Sequence, residues 1–226
     1  MANRLRELFA FCEVKHVIDV GANRGQYHAF LRNSVHYRGP IDSFEPVPQL
    51  GAALKVASAS DPHWRVHTTA LGAQPGTQRL NLAPSTDFSS FLQPLASESF
   101  AGRNTVAEEV DVPVSTLDLQ FPDFAQLRNT FLKMDTQGYD LEVLKGGRGA
   151  AATIPLLQTE VSFRPIYHGM PSFSESLEVL GNLGYVIADM FAVGSGVPAG
   201  GMYEFDLIMV RKDLARDKPA AGQSSP

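Results

Sequence analysis

The sequence predicts an α/β domain whose mostly parallel sheet is covered by helices on both faces. Three observations carry this. Short apolar runs alternate with helix-length stretches of mixed polarity, the pattern of strands joined by crossover helices. The first of these runs, in "VIDVGANRGQ" from Val17, passes directly into a glycine turn and a polar helix start. Two acids, Asp19 and Glu45, stand at or near the carboxyl ends of the first two strands, the rim where open α/β sheets take ligands.

In chain order, an amphipathic helix opens the sequence in "MANRLRELFAFCEVKH". Strands are expected at His16–Val20, Ile41–Glu45, Val66–Leu71, Phe131–Asp135, Leu156–Ser162, Tyr185–Ala192 and Phe205–Arg211, where apolar residues cluster. Helices are expected at Arg24–Ser34, Gln49–Ala57, Tyr139–Lys145 and Ser174–Leu183. Lys145 followed by Gly146 and Gly147 reads as a basic last turn and a left-handed stop. The Leu80–Val114 segment and "GSGVPAGGMYE" lack periodicity and read as substrate loops. The 226 residues suit one domain, over residues 1–213. Residues 214–226 form an expected disordered tail, because the Pro, Gly, Ser and charge of "RDKPAAGQSSP" cannot order by burial.

Composition narrows the function classes. A formal charge of −5 offers no nucleic-acid footprint. One cysteine, Cys12, leaves no internal disulfide framework and fits a reducing cytoplasm. No stretch has the length of a transmembrane helix, and the N-terminus lacks the apolar core of a signal peptide.

The glycine turn narrows the ligand. A dinucleotide site needs G-x-G-x-x-G so that backbone can approach a pyrophosphate. Here Gly21 and Gly25 are present but Asn23 takes the middle place, and no phosphate-cradling G-K-[ST] exists. A ligand without phosphate fits better. S-adenosylmethionine carries a sulfonium and an ammonium, which an acid such as Asp19 favours. An acid about 20 residues beyond such a turn commonly holds a ribose, and Glu45 meets that spacing.

The stretch richest in chemistry is "FLKMDTQGYDLEVLKGG". It places Asp135 at a strand end, on the same rim, as a candidate base for methyl transfer to a hydroxyl. The strand in "LLQTEVSF" ends near Glu160, and in a doubly wound order it neighbours the strand of Asp135. Strands lie roughly 5 Å apart, so the two carboxylates could share a proton, or hold Mg²⁺, or Glu160 could pair with Lys133 or Arg164. His168, in "RPIYHGMP", is a second candidate base. Ser89 and Ser90 could meet substrate hydroxyls or serve as turn formers. The remaining histidines show no ligand-like spacing, and Trp64 reads as packing.

"VIDVGANRGQY", "FEPVP", "TALG", "STLD", "FLKMDTQGYDLEVLKGG", "TEVSFRPIYHGMPSF" and "EFDLIMVRK" together resemble the FkbM family of class I S-adenosylmethionine-dependent methyltransferases. The resemblance covers roughly Val17 to Lys212. It implies a Rossmann-like class I methyltransferase fold, with a seven-stranded sheet of order 3-2-1-4-5-7-6 whose last strand is antiparallel. It also implies O-methylation of a sugar, glycolipid or polyketide hydroxyl. By position, Asp19, Gly21, Ala22, Asn23 and Gly25 would line the methionine end and Glu45 would hold the ribose. Ala70 and Leu71 would border the adenine, and Asp135 would face the transferred methyl. Two positions depart from the family pattern, Thr69 where Asn is common and Asp140 where Glu is. A related class of sugar methyltransferases uses Mg²⁺ held by acids at the corresponding strand ends.

The expected function is O-methylation of a saccharide or glycolipid hydroxyl, with Tyr139, Tyr167, Phe163 and Phe88 available to stack on a ring. A macrolide hydroxyl is the alternative acceptor, and a non-catalytic cofactor-binding module the alternative class. A dehydrogenase would need the missing third glycine and a Ser-Tyr-Lys set. A homodimer is compatible with all of these features.

Overall fold

The computed structural model describes residues 1–95, 105–193 and 204–217. Helix α1 (Ala2–Phe11) leads into β1 (His16–Val20), then α2 (Gln26–Phe30), which continues as a π-helical turn to Val35. Next come β2 (Ile41–Phe44), α3 (Pro48–Ser58), β3 (Trp64–His67), β4 (Ala70–Leu71), β5 (Gly76–Leu82) and β6 (Glu108–Ser115). The rest comprises α4 (Leu117–Gln120), β7 (Thr130–Met134), α5 (Asp140–Lys145), α6 (Arg148–Ala151), β8 (Leu156–Ser162), α7 (Phe173–Asn182), β9 (Tyr185–Val193), β10 (Glu204–Arg211) and α8 (Lys212–Asp217).

Seven strands form one sheet in the order β3-β2-β1-β7-β8-β10-β9. The five from β3 to β8 run parallel, and β10 is antiparallel to both of its neighbours. This is the Rossmann-like class I methyltransferase arrangement. Helix α8 runs past residue 213, the expected domain edge.

Alternation along the central strands sends successive side chains to opposite faces. Ile18, Leu132, Leu157 and Leu207 pack with Leu117, Leu144, Ala150 and Leu180 from α4 to α7. Val17, Phe131, Leu156 and Ile208 pack with Leu5, Leu8, Leu31 and Leu54 from the N-terminal helices. The second face also carries polar residues: Asp19, Lys133 and Gln158 are all buried. At roughly 25 cal/mol per Å², burying the apolar faces drives folding, so buried polar groups must find partners.

Three expectations need correction. The Val66–Leu71 strand is two strands: the chain leaves the main sheet after His67, and Ala70–Leu71 joins β6 instead. Thr69 fixes this turn, its hydroxyl donating to Pro113 O at 3.0 Å. The two ends of the Leu80–Val114 segment, which read as irregular, belong to a three-stranded sheet, β4-β6-β5, with β5 and β6 antiparallel. Finally, Gly146 and Gly147 are no left-handed stop, since their φ angles are −83° and −125°. They are needed for space: a Cβ on Gly146 would lie 2.0 Å from Gly72 O, and one on Gly147 2.7 Å from Leu117. Residues 194–203 of "GSGVPAGGMYE" lie outside the described residues, and Glu204 begins β10.

Candidate active site

The carboxyl ends of β1, β2, β7 and β8 open on one cavity of about 400 Å³. Its floor is the turn after β1. Gly21 has φ +80°, and a Cβ there would lie 2.0 Å from Asp135 O, so only glycine lets the first strand pass the end of β7 so closely. The N–H groups of Gly21 and Ala22 donate to Phe44 O, both at 3.0 Å, and clamp the turn to β2. Asn23 also has a positive φ, +47°, which Asn tolerates better than most side chains. Gly25 caps α2 at φ +81°; it packs on Leu54 and Trp64 and does not line the cavity.

Glu45, just past β2, lines the cavity while almost fully buried. Its carboxylate accepts from Asn23 N at 2.7 Å and Val47 N at 2.8 Å. Burial raises the group to about 7, against the lowering effect of those two N–H donors. Ala70, Leu71, Leu50 and Leu80 give the adjoining apolar wall.

Asp19 stands elsewhere than its position in the motif implies. It is fully buried and does not line the cavity. Its Oδ2 accepts from Ser43 Oγ at 3.1 Å, and Ser43 accepts in turn from Trp64 Nε1 at 3.0 Å. Oδ1 has no aligned donor, but the Lys133 ammonium lies 3.2 Å away. Lys133 also reaches Asp135 Oδ2 at 3.5 Å, donates to Gly21 O at 3.3 Å, and sits over the Tyr27 ring. Burial works against this ammonium, yet Asp19 and Asp135 outweigh it and raise its pKa, so it stays charged. Tyr27 donates to Gln158 Oε1 at 2.6 Å. Lys133 thus links buried Asp19 of β1 to Asp135 at the cavity, an ion-pair network that sequence reading of the single acid did not reveal. The signal was present: Lys133 in β7 and Asp135 just past its end are two residues apart in an extended run, a spacing that sends side chains to one face.

At the other end of the cavity lie Asp135 and Glu160. Gln137 joins them, its Nε2 donating to Asp135 Oδ1 at 3.1 Å and Glu160 Oε2 at 2.9 Å. Burial and the nearby carboxylates of Asp135, Glu204 and Asp206 raise Glu160 well above the ordinary carboxylate range. Asp206 is raised by burial to about 6. Asp140 explains its departure from the family pattern: the shorter acid is buried under the loop, accepting from Thr136 N, Thr159 Oγ1 and Glu160 N. It fixes the segment that carries Gln137, whose φ is +54°.

The residues present do not fit a cation between Asp135 and Glu160, because a donor nitrogen holds the bridging position. Among the described residues no group of three or more His, Cys, Asp or Glu is set to bind a metal.

His168 is exposed and away from the cavity lining. Pro94 and Tyr167 form an extended bridge, and His168 N donates to Gln93 O at 2.8 Å. Neighbours along such a segment face opposite ways. Tyr167 therefore points inward, its hydroxyl 2.9 Å from both Gln137 Oε1 and Phe88 O, and His168 points out. Ser89 and Ser90 line the cavity but spend their hydroxyls on the chain: Ser90 Oγ donates to Gln137 O, and Ser89 Oγ accepts from Ala83 N. Of the four aromatics proposed for a ring, Phe88 lines the cavity; Phe91 joins it, packed on Tyr139. Phe163 packs on Phe173 and Phe205.

The model of the FkbM methyltransferase domain matches residues 19–187, spanning the glycine turn, Glu45, Asp135, Glu160 and the K-x-D-x-Q-G stretch. The chain belongs to the FkbM methyltransferase family. It is therefore an S-adenosylmethionine-dependent methyltransferase. No curated protein sequence matches it. Among solved structures it is similar to the magnesium protoporphyrin IX methyltransferase of Synechocystis PCC 6803 (13% identity, 93% of this chain, 79% of that one, TM-score 0.47). It is also similar to a SAM-dependent methyltransferase of Aquifex aeolicus (16% identity, 92% and 89%, TM-score 0.41). Neither likeness bears on the acceptor. No described helix of this FkbM-family protein is long and apolar enough to cross a membrane.

Proposed function

We propose that this protein is an O-methyltransferase acting on a hydroxyl of a saccharide or glycolipid in the cytoplasm. The observation that carries the reading is the polarity of the cavity's far end. Asp135, Thr136, Gln137, Glu160 and Glu204 line it, side chains suited to several hydroxyls. A macrolide would be met better by apolar side chains, and these gather at the opposite end, around Leu50, Leu71 and Leu80.

In this reading Glu45 would hold the cofactor's ribose hydroxyls, Ala70 and Leu71 its adenine, and the Gly21–Asn23 turn its methionine arm. The sulfonium methyl would be the group transferred, with Asp135 beside it. The acceptor oxygen attacks that methyl in line; the C–O bond forms as the C–S bond breaks, leaving S-adenosylhomocysteine. The hydroxyl proton passes to Asp135, and Lys133 supplies the countercharge to that carboxylate. Glu160, whose pKa is raised by burial and its neighbouring carboxylates, serves as a hydrogen-bonding group to the acceptor.

The test is transfer of labelled methyl from S-adenosylmethionine to a panel of sugars, glycolipids and macrolides. Asp135→Asn is expected to abolish transfer while S-adenosylhomocysteine still binds. Full transfer by that variant would remove Asp135 from the mechanism, and transfer only to macrolides would replace the saccharide acceptor.

A further inference from the structure

Resting on that placement of the cofactor, the structure assigns Asp87 as the acid that receives the cofactor's ammonium, in place of Asp19. The methionine arm carries a positive ammonium beside the glycine turn, and a site there needs an acceptor that solvent or ligand can reach. Asp19 is closed to it. Its carboxylate is fully buried, with Ser43 on one oxygen and the Lys133 ammonium 3.2 Å from the other. Moving a ligand ammonium into that space would place it against Lys133, a like charge.

Asp87 is open and lines the cavity. It lies in the short 3₁₀ turn Thr86–Phe88, which crosses above the glycine turn. Asn23 holds it there. The Asn23 side-chain nitrogen donates to Asp87 Oδ1, and its side-chain oxygen accepts from Thr86 Oγ1 at 2.9 Å. The two contacts use both ends of the amide, so its orientation is determined by them. The same residue's backbone N–H donates to Glu45 Oε2. Asn23 therefore ties the acid assigned to the ribose to the acid assigned to the ammonium. This accounts for Asn where a dinucleotide site has its middle glycine: the position needs a side chain that reaches the strap. Asp87 Oδ2 has no bond to Asn23 and can accept the ammonium.

The experiment is calorimetric binding of two probes. S-adenosylhomocysteine has the amino-acid arm; 5′-methylthioadenosine keeps the adenine, ribose and sulfur but lacks it. Asp87→Asn preserves an acceptor for Asn23 and removes only the charge. It is expected to weaken S-adenosylhomocysteine by about tenfold, and 5′-methylthioadenosine by less than about twofold. Glu45→Gln should weaken both probes alike. Equal losses for both probes in Asp87→Asn, or none, would overturn the assignment. So would a selective loss of S-adenosylhomocysteine in Asp19→Asn without one in Asp87→Asn. A wild-type protein that binds neither probe would overturn the cofactor placement itself, and the assignment with it.

Discussion

Gly21→Ala separates the two demands that the glycine turn makes on the chain. The residue sits at φ +80°, where an L side chain costs roughly 1 kcal/mol or more. Its added Cβ would also lie 2.0 Å from Asp135 O, a backbone atom that cannot swing aside. Forcing atoms into packed space costs typically about 1–3 kcal/mol, so the sum is about 2–4 kcal/mol. Two other glycines isolate the terms. Gly169 has φ +75° with nothing near its missing Cβ, so Gly169→Ala carries the strain alone. Gly146 has an ordinary φ of −83° and a Cβ position 2.0 Å from Gly72 O, so Gly146→Ala carries the clash alone. Thermal unfolding followed by circular dichroism would rank them: losses of about 2–4 °C for Gly169→Ala and on the order of 10 °C for Gly21→Ala. Because the displaced atom belongs to Asp135, Gly21→Ala should also cost S-adenosylhomocysteine binding, whereas Gly146→Ala should not. A Gly21→Ala protein with wild-type melting and binding would refute the reasoning.

Lys133→Met should destabilise the fold by roughly 3–5 kcal/mol, since Asp19 is left charged and buried; adding Asp19→Asn should recover most of it, measured by urea unfolding. Recovery of less than a third would mean that the pair does not carry the effect. Glu45 is raised to about 7 in the fold, so its contribution to stability is full below the ordinary glutamate range near 4.5 and is lost as pH rises through about 7. Comparing wild type with Glu45→Gln between pH 5 and 8 should show this loss only in the wild type. Hydroxyl donors favour the anion, so S-adenosylhomocysteine affinity should rise over the same interval in the wild type and stay flat in the variant.

Much of the fold was legible because apolar residues cluster in β1 (Val17, Ile18 and Val20) and in β8 (Leu156, Leu157 and Val161). His16–Val20 and Leu156–Ser162 are strands at the expected bounds. The second sheet was hidden. In β6 only one face is buried, Val112 and Val114, and Pro113 between them argues against a strand. Yet Val110, Val112 and Val114 alternate, and that period of two was readable. The Val66–Leu71 run was apolar enough for one strand; its division depends on partners far away in sequence, β2 for one half and β6 for the other.

In the site, Glu45, Asp135 and Glu160, which all line the cavity, were singled out as candidates from their places at or near the carboxyl ends of strands. Lys133, Gln137 and Asp87 were not. Each matters through a partner: Lys133 through Asp19, Gln137 through two acids, Asp87 through Asn23. Spacing puts Lys133 and Asp135 on one face, but it does not reveal partners carried by other elements. His168 shows the opposite error, one residue's difference in an extended segment deciding that Tyr167 faces in.

The central claim is that one cavity binds the methionine-bearing nucleoside without a metal between Asp135 and Glu160. The measurement that tests it most directly is calorimetric titration of the purified protein with S-adenosylhomocysteine, in chelator and again in Mg²⁺, with NAD as the control. The expected result is one-to-one binding of S-adenosylhomocysteine, equal in both buffers, and no binding of NAD. Binding of NAD, or binding of S-adenosylhomocysteine only when Mg²⁺ is present, would contradict it.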